Sequence, residues 1–315
     1  MQLIRPDINI DFIGKRKLAL LLSGLMIFIS LASLAVKGLN FGIDFTGGTL
    51  VEVKFSQPPE IGQVRKALIP AGYGNAVIQE FGTPEEILIR VQNREDEDTS
   101  KISTAVLDAL RASFAADAVE MRRVEYVGPQ VGEELTRAGI LAVLIAMVAI
   151  LLYVTFRFEF RFALGADAAL LHDVIIVLGL FSITGKEFTL PVIAALLTVI
   201  GYSLNDTIVV FDRIRENFAA NRKRKKPEDE GSVANQAINQ TLARTLMTSL
   251  TTLLVVLALF FLGGEVIHNF AFALLAGILV GTYSSIYIAS PLMLSLAGRF
   301  KSTSDEDIKK LEARP

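Results

Sequence analysis

The sequence predicts a polytopic α-helical membrane protein with six transmembrane helices and one small α+β domain outside the membrane. Hydrophobic residues make up 52% of the 315 residues, and 20% are charged and need a place outside the bilayer. Six segments are apolar enough to span, since a spanning helix needs about 20 mostly apolar residues. The long segment between the first two, 37–138, instead alternates strand and helix patterns.

The six predicted spans leave a basic loop and two terminal segments. The spans lie at 18–36, 139–156, 162–184, 190–211, 245–262 and 268–297. The remaining segments are the N-terminus 1–17, the loop 212–244 and the tail 298–315. The last span is longer than a bilayer requires, so it tilts or extends past the membrane. The first has a longer apolar core than a signal peptide, so we interpret it as an uncleaved anchor.

Basic residues predict the orientation. They occur before the first span, between spans two and three, after span four and after span six. The residues are Lys15, Arg16, Lys17, Arg157, Arg161, Arg213, Arg215, Arg222, Lys223, Arg224, Lys225, Lys226, Arg299 and Lys301. With six spans, all of them lie on one side, which the positive-inside rule assigns to the cytoplasm. We therefore predict that both termini are cytoplasmic and that 37–138 lies outside.

The outer segment has the pattern of a ferredoxin-like domain. Its predicted strands and helices follow the order β-α-β-β-α-β. They lie at Thr49–Phe55, Glu60–Ala71, Ala76–Phe81, Ile87–Val91, Thr99–Ala115 and Val119–Val127. About 90 residues form one small core but hardly a spacious enzyme site. The acidic run Glu95–Asp98 is interpreted as a solvated loop.

Composition argues against several functional classes. The net charge of −2 does not suggest nucleic acid as a partner. The absence of cysteine excludes disulfides, thiolate metal sites and a cysteine nucleophile. There is no phosphate-binding glycine loop, no HExxH and no plausible nucleophile–base pair. We therefore expect a protein that is not an enzyme and has no catalytic residues, metal site or bound cofactor.

Asp206 is the most informative residue. The apolar run Leu190–Phe211 contains no other charged residue. A carboxylate at membrane depth costs roughly 2.5–3.5 kcal/mol on insertion scales, so such groups usually carry a proton, bind an ion or pair with a base. The alternative is an acid near a helix end that reaches water. Because Thr198, Tyr202 and the pair Asn205/Asp206 follow helical spacing, we favour a hydrogen-bonded or hydrated interior face and a proton-carrying carboxylate.

Other polar residues occur in the neighbouring spans. Arg244 opens the fifth span, where it either extends to the lipid headgroups or pairs with Asp206. Thr248 belongs to a polar stripe on the same helix. His172 and Asp173 lie near the middle of the third span, where a structural polar clamp and a proton relay both stay open.

The sixth span contains a ridge of small residues with a period of four. Its members are Ala273, Gly277, Gly281, Ser285 and Ala289. Small residues allow close helix packing in membranes. The ridge predicts either internal packing against a neighbouring span or a docking face for another membrane subunit.

Five motifs in order resemble one family. They are FGIDFTGGT at 41–49, VGPQVGEEL at 127–135, LLHDV at 170–174, GYSLNDTIVVFDRIREN at 201–217 and ARTLMTSLTTLL at 243–254. Together they resemble the SecF family of protein translocase subunits, part of the SecD/SecF group in the resistance-nodulation-division (RND) superfamily. The resemblance covers nearly the whole chain and implies half of an RND-type transporter.

The resemblance implies a function in protein export from the bacterial inner membrane. SecF proteins pair with SecD and associate with the SecYEG channel and YajC. The pair uses the proton gradient to promote late translocation of preproteins, after SecA has driven them into the channel. Asp206 and Arg244 match the family's proton-pathway residues, and Tyr202, Asn205, His172, Asp173 and Thr248 are candidate supporting residues. The alternatives are a stand-alone proton-coupled exporter of small molecules or lipids, and a non-transporting membrane scaffold.

Overall fold

The structure, a computed structural model, describes residues 9–91, 99–114 and 118–296. The predicted acidic run Glu95–Asp98 and the whole predicted tail, 298–315, lie outside these residues. Six helices in the described part are long and apolar enough to cross a membrane. They are α1 (Arg16–Lys37), α5 (Pro129–Arg157), α6 (Phe160–Thr184), α7 (Leu190–Arg222), α8 (Glu230–Leu262) and a composite sixth. The sixth consists of α9 (Glu265–Ser284), a π-helical turn (Ser285–Ala289) and α10 (Ser290–Leu296).

The predicted domain between the first two long helices has the ferredoxin-like topology. Its elements are β2 (Gly48–Phe55), α3 (Ile61–Leu68), β3 (Val77–Phe81), β4 (Thr83–Val91), α4 (Thr99–Ser113) and β5 (Val119–Val127). The sheet order is β3-β4-β2-β5 with antiparallel pairing throughout. Alternate residues of the central strands, such as Val51 and Ile89, face α3 and α4 in one apolar core. We call the end of the helical bundle that carries this domain the domain side, and the opposite end the far side.

Two long helices extend beyond the predicted spans on the far side. α7 and α8 each have 33 residues, about 50 Å of helix against a hydrocarbon core of about 30 Å. The segment 212–244, predicted as a loop, is therefore mostly helical. Ile214 and Phe218 of α7 pack in one core with Val233 and Ala237 of α8, which explains the extension.

Two short strands join the domain to the bundle. β1 (Asn40–Phe41) follows α1 and pairs in parallel with β6 (Glu187–Phe188), between α6 and α7. The amide of Leu190, at the start of α7, donates to Asp44 Oδ2 at 2.7 Å. Arg90 of β4 also forms an ion pair with Glu187. The domain therefore contacts the α6–α7 connection directly.

The two glycine-containing motifs of the sequence pack against each other. Gly47 has a φ of +66°, and a Cβ there would lie 2.9 Å from Pro129 Cα. A Cβ on Gly132 would lie 2.9 Å from the Phe45 carbonyl oxygen. The turn after α2 (Ile43–Thr46) thus fits against the start of α5 only without side chains at these positions.

The small-residue ridge of the sixth span packs internally. A Cβ on Gly277 would overlap the Val199 side chain of α7, and one on Gly281 would lie 3.0 Å from Ser203 Cβ. Ala273, Ser285 and Ala289 are buried. Of the two alternatives left open by the sequence, the structure favours close packing of α9 against α7.

Candidate functional site

Asp206 lies inside the bundle, where α7, α8 and α9 meet. Its side chain is enclosed, with the residue only 2% exposed. It lies 16 residues from the start of α7, about 24 Å along the helix at 1.5 Å per residue. This position is in the far half of the bilayer. The geometry is that of an enclosed acid at membrane depth rather than of a surface carboxylate.

The hydrogen-bond partners of Asp206 are hydroxyl groups. Ser249 Oγ of α8 lies 3.4 Å from Asp206 Oδ2 and 2.7 Å from Thr282 Oγ1 of α9. Tyr202 Oη, one turn before Asp206, donates to Ser249 Oγ at 3.5 Å. Ser249 is therefore the branch point of a polar chain across three helices.

The hydroxyl protons allow two arrangements of the hydrogen bonds around Ser249. A serine hydroxyl has one proton to donate, so Ser249 can donate either to Asp206 or to Thr282. Thr282 also lies 2.8 Å from the Ile278 carbonyl oxygen, to which it can donate instead. When Ser249 donates to Asp206, Thr282 is free to donate to Ser249. When Ser249 donates to Thr282, Thr282 donates to Ile278. The arrangement can therefore respond to a charge change on Asp206 by rotating two hydroxyls.

Arg244 is close to this site but is not in ion-pair contact with Asp206. No salt bridge joins the two side chains in the described part of the chain, although the guanidinium acts on Asp206 electrostatically. Arg244 is exposed on α8. The direct ion pair with Asp206, one of the two alternatives that the sequence left open for Arg244, therefore does not form in this conformation. The guanidinium faces outward instead.

The outward face next to Asp206 is polar. Asn205 and Thr198 are exposed on α7, and Tyr202 is half-buried. Thr248 is also half-buried, and its Oγ1 donates to backbone carbonyls of its own helix. Polar side chains at membrane depth usually face a protein interior or a hydrated cavity. This face of the single chain is therefore suited to contact with another subunit.

A second polar cluster surrounds Asp173 in the bundle core. Asp173 Oδ1 lies 2.9 Å from His172 Nδ1. Ser203 of α7 and Ser284 of α9 donate to Oδ2 at 2.6 Å and 2.8 Å. Ser284 directly precedes the π-helical turn. Asp173 thus ties α6 to α7 and to the middle of the sixth span.

Sequence reasoning missed three hydroxyls that complete these clusters. Ser249, Thr282 and Ser284 supply contacts to Asp206, to Ser249 and to Asp173 respectively. One signal was available for Ser249: with Thr241 and Thr245 it forms a buried i, i+4, i+8 series on α8. Within residues 9–91, 99–114 and 118–296, no three His, Asp or Glu side chains converge as metal ligands.

Two protein-family models match the sequence of this chain. A family model described as "Protein export membrane protein SecD/SecF, C-terminal" matches residues 106–299, and one described as "SecD/SecF GG Motif" matches residues 32–59. The second range contains Gly47, the glycine with positive φ that packs against Pro129.

Full-length relatives give the same result. The protein translocase subunit SecF of Magnetococcus marinus is 57% identical over 296 residues, covering 93% of this chain and 94% of that protein. SecF of Vibrio alginolyticus is 51% identical over 295 residues, covering 94% of this chain and 92% of that protein.

A solved structure shares the fold. The crystal structure of SecDF from Thermus thermophilus, described as a translocon-associated membrane protein, is 41% identical with a TM-score of 0.83. The match covers 94% of this chain but only 40% of that chain. The present chain thus spans less than half of the SecDF polypeptide.

Fold and site together define a class: a multi-pass helical membrane protein of the protein-export type, with a ferredoxin-like domain inserted after its first helix. Within that class, the chain belongs to the SecF family of protein translocase subunits. It is therefore a Sec protein-export subunit.

Proposed function

We propose that this chain couples proton movement across the inner membrane to protein export, with Asp206 as the proton-carrying group. One observation supports the proposal most directly: Asp206 is enclosed at membrane depth among hydroxyls on three helices. The far side, which contains the basic residues of the N-terminus and of the α7–α8 turn, is cytoplasmic, and the domain is periplasmic.

The partner in this proposal is SecD. Two features support it. The SecDF chain is more than twice as long as the part that this chain matches, which leaves room for a second half. The exposed polar residues Asn205, Thr198 and Arg244 also form a face that lipid would solvate poorly. SecYEG, YajC and SecA enter the proposal only through family membership.

Protonation of Asp206 is the proposed working step. The ionised carboxylate accepts a hydrogen bond from Ser249 and is attracted by Arg244. A proton arriving from the periplasmic side removes the charge, weakens the attraction to Arg244 and frees Ser249 to donate to Thr282. The contacts among α7, α8 and α9 change, and the outer domain of SecD changes its position while residues 37–138 serve as its base. Proton release to the cytoplasm restores the first arrangement.

The energy available per proton is modest. One charge crossing about 100 mV releases roughly 2.3 kcal/mol, before any pH gradient is added. This corresponds to about a fiftyfold shift in a two-state equilibrium. We therefore expect several protonation cycles for each exported chain.

The experiment is export of a secreted reporter by cells whose only copy carries Asp206→Asn. We expect export to fall to the level of cells that lack the protein, with the complex intact. Asp212→Asn is the matched control, because it makes the same change on the same helix. Asp212 pairs with Arg157 and Arg215 at 3.6 Å and 3.3 Å on the surface, where such pairs contribute about 0–1 kcal/mol.

Other outcomes distinguish the alternatives. Normal export with Asp206→Asn and with Arg244→Met, at normal protein levels, would contradict proton coupling through this site and support a scaffold. A purified complex without any SecD-like chain, whose mass fits a homodimer, would instead support a stand-alone exporter.

A further inference from the structure

A polar cavity opens on the cytoplasmic side between the N-terminal segment and the start of α8. Its volume is about 880 Å³, within the roughly 300–1,000 Å³ typical of small-molecule sites. One wall is residues 9–17, and the other is residues 228–240. The cavity is separate from the Asp206 site.

Hydrogen bonds hold the N-terminal wall in place. Asn235 Oδ1 accepts from the backbone amides of Phe12 and Ile13 at 2.8 Å and 3.1 Å. Asn239 Oδ1 accepts from the amide of Ile10 at 2.8 Å, and both asparagine side chains donate to the Ile10 carbonyl oxygen. Phe12 is buried and packs on Tyr287 with ring centroids 5.7 Å apart. The cavity therefore has a wall fixed by the fold.

The lining contains charges of both signs that form no ion pair within the part of the chain that the structure describes. Arg16 and Lys17 supply two positive charges, and neither makes an ion pair with the residues that the structure describes. Asp11 and Asp229 supply two negative charges, and each accepts a backbone hydrogen bond, from Gly14 and Gly231 respectively. The remaining lining carboxylate, Glu228, is paired with Arg224. The cavity thus favours a ligand that has an anionic group and a cationic group together.

An apolar groove adjoins the cavity at Arg16. The groove has a volume of about 240 Å³ and lies between the start of α1 and α10. Leu20, Pro291, Leu292 and Leu294 supply its apolar surface, and Arg16 lines both the groove and the cavity. Arg16 begins α1, so the pair of cavities lies at the membrane interface. Burial of acyl methylenes against these side chains would strengthen binding of a lipid over that of its free headgroup.

We propose that this composite site binds a zwitterionic aminophospholipid, phosphatidylethanolamine. Arg16 and Lys17 bind the phosphate, and Asp11 and Asp229 accept hydrogen bonds from the primary ammonium. One acyl chain lies in the groove beside Leu20. A choline headgroup has no N–H to donate, and a glycerol headgroup has no cation, so both bind more weakly. The site requires only that α1 crosses the membrane, and it is independent of proton coupling.

The test is lipid retention by the purified full-length protein, measured by native mass spectrometry with phosphatidylethanolamine, phosphatidylglycerol and phosphatidylcholine. We expect phosphatidylethanolamine to bind most tightly. Arg16→Gln and the pair Asp11→Asn with Asp229→Asn each reduce its affinity by about tenfold, the typical effect of one charged hydrogen bond. The asparagines keep the backbone-capping oxygens, so the fold is retained. Lys15→Gln is the matched control, because Lys15 is exposed and does not line the cavity.

A second measurement separates lipid from other occupants. The chain has no cysteine, so Gln236→Cys places a single thiol in the lining of the cavity. Phosphatidylethanolamine in nanodiscs should slow maleimide labelling at this position, and glycerophosphoethanolamine, which lacks acyl chains, should not.

Three results would overturn the proposal. One is that phosphatidylglycerol is retained as well as phosphatidylethanolamine and that Asp11→Asn with Asp229→Asn does not change this retention. That result would show a simple anion site. Another is unchanged retention in Arg16→Gln. The third is protection of the thiol of Gln236→Cys in lipid-free detergent that disappears when residues 1–8 are deleted, which would show that the chain itself fills the cavity.

Discussion

Arg90 of the ferredoxin-like domain and Glu187 of the α6–α7 connection form an ion pair that is almost closed to solvent. Their side chains are 11% and 13% exposed. Arg90 Nη1 also donates to the Phe41 carbonyl oxygen at 2.7 Å. Phe41 and Glu187 lie on the two paired strands β1 and β6. One guanidinium therefore contacts both strands of the junction and fixes the position of the domain on the bundle.

Breaking this pair should loosen the junction. Arg90→Gln leaves Glu187 buried without a cation, which typically costs about 3–5 kcal/mol. The double variant with Glu187→Gln should be less destabilised than the sum of the single variants. The measurement is the free energy of unfolding in detergent micelles for all four proteins.

Lys54→Gln provides the control for this double-mutant cycle. Lys54 pairs with Glu86 at 3.6 Å in the same sheet, and its side chain is 40% exposed. An exposed pair contributes about 0–1 kcal/mol, so little change is expected. Strict additivity of Arg90→Gln and Glu187→Gln would show that the two side chains do not stabilise the junction as a pair.

The junction should also depend on pH. Burial raises the pKa of Glu187 above its ordinary range, and Arg90 opposes but does not cancel this shift. The folded state therefore holds the proton more tightly than the unfolded state. Stability is highest below the ordinary glutamate pKa of about 4.3, and the contribution is lost as pH rises through the raised value.

Glu187→Gln isolates that contribution. The melting temperature of the parent protein should fall with rising pH from about pH 4.3 upward more steeply than that of Glu187→Gln. The slope difference between the two proteins is the quantity to measure. Parallel profiles would contradict a protonation linked to folding at this residue.

Close packing of α9 on α7 predicts a specific steric effect. Gly277→Ala places a methyl group in the space that Val199 occupies. Overpacking of this kind typically costs about 1–3 kcal/mol. Val199→Ala should relieve the overlap and restore part of the stability. Gly201→Ala on α7 is the control, because a Cβ there meets nothing within 4 Å. Equal destabilisation by Gly277→Ala and Gly201→Ala would argue against internal packing as the reason for the small-residue ridge of the sixth span.

The features of this structure that the sequence predicted are those encoded by patterns of consecutive residues. Six apolar runs and the strand–helix order specify the spans and the ferredoxin-like topology, because each is a property of consecutive residues. The helical continuation past Phe211 was missed because charged residues from Asp212 onward hide the apolar period of Ile214 and Phe218. The Arg90–Glu187 pair joins residues 97 positions apart, and no local pattern encodes such a contact.

The polar site was partly predictable for a similar reason. Asp206 is conspicuous because a carboxylate is rare in an apolar run. Hydroxyl residues are not conspicuous, since any helical serine or threonine can donate to its own backbone, as Thr248 does to Arg244. Ser249 and Thr282 acquire their importance only when α8 and α9 meet.

The geometry around Asp173 favours the structural clamp over the proton relay. His172, Ser203 and Ser284 converge on one carboxylate that is 1% exposed. His172 Nε2 is buried without a hydrogen-bond partner in the described structure. A charged imidazole would leave an unsatisfied N–H there, so the neutral form with the proton on Nδ1 fits the site best.

Two substitutions at Asp173 separate the clamp from the relay. In Asp173→Asn, the amide oxygen can still accept from Ser203 and Ser284, and the NH₂ group can donate to His172 once the ring proton moves to Nε2. That leaves two buried N–H groups without an acceptor in the described structure, the second amide N–H and His172 Nε2–H, at a cost of about 1–3 kcal/mol each. Asp173→Ala removes every acceptor and should prevent stable folding. We expect Asp173→Asn to fold and to support reporter export, since a clamp needs acceptor geometry but not titration. A folded Asp173→Asn protein with intact complexes and no export would show instead that Asp173 must carry a proton.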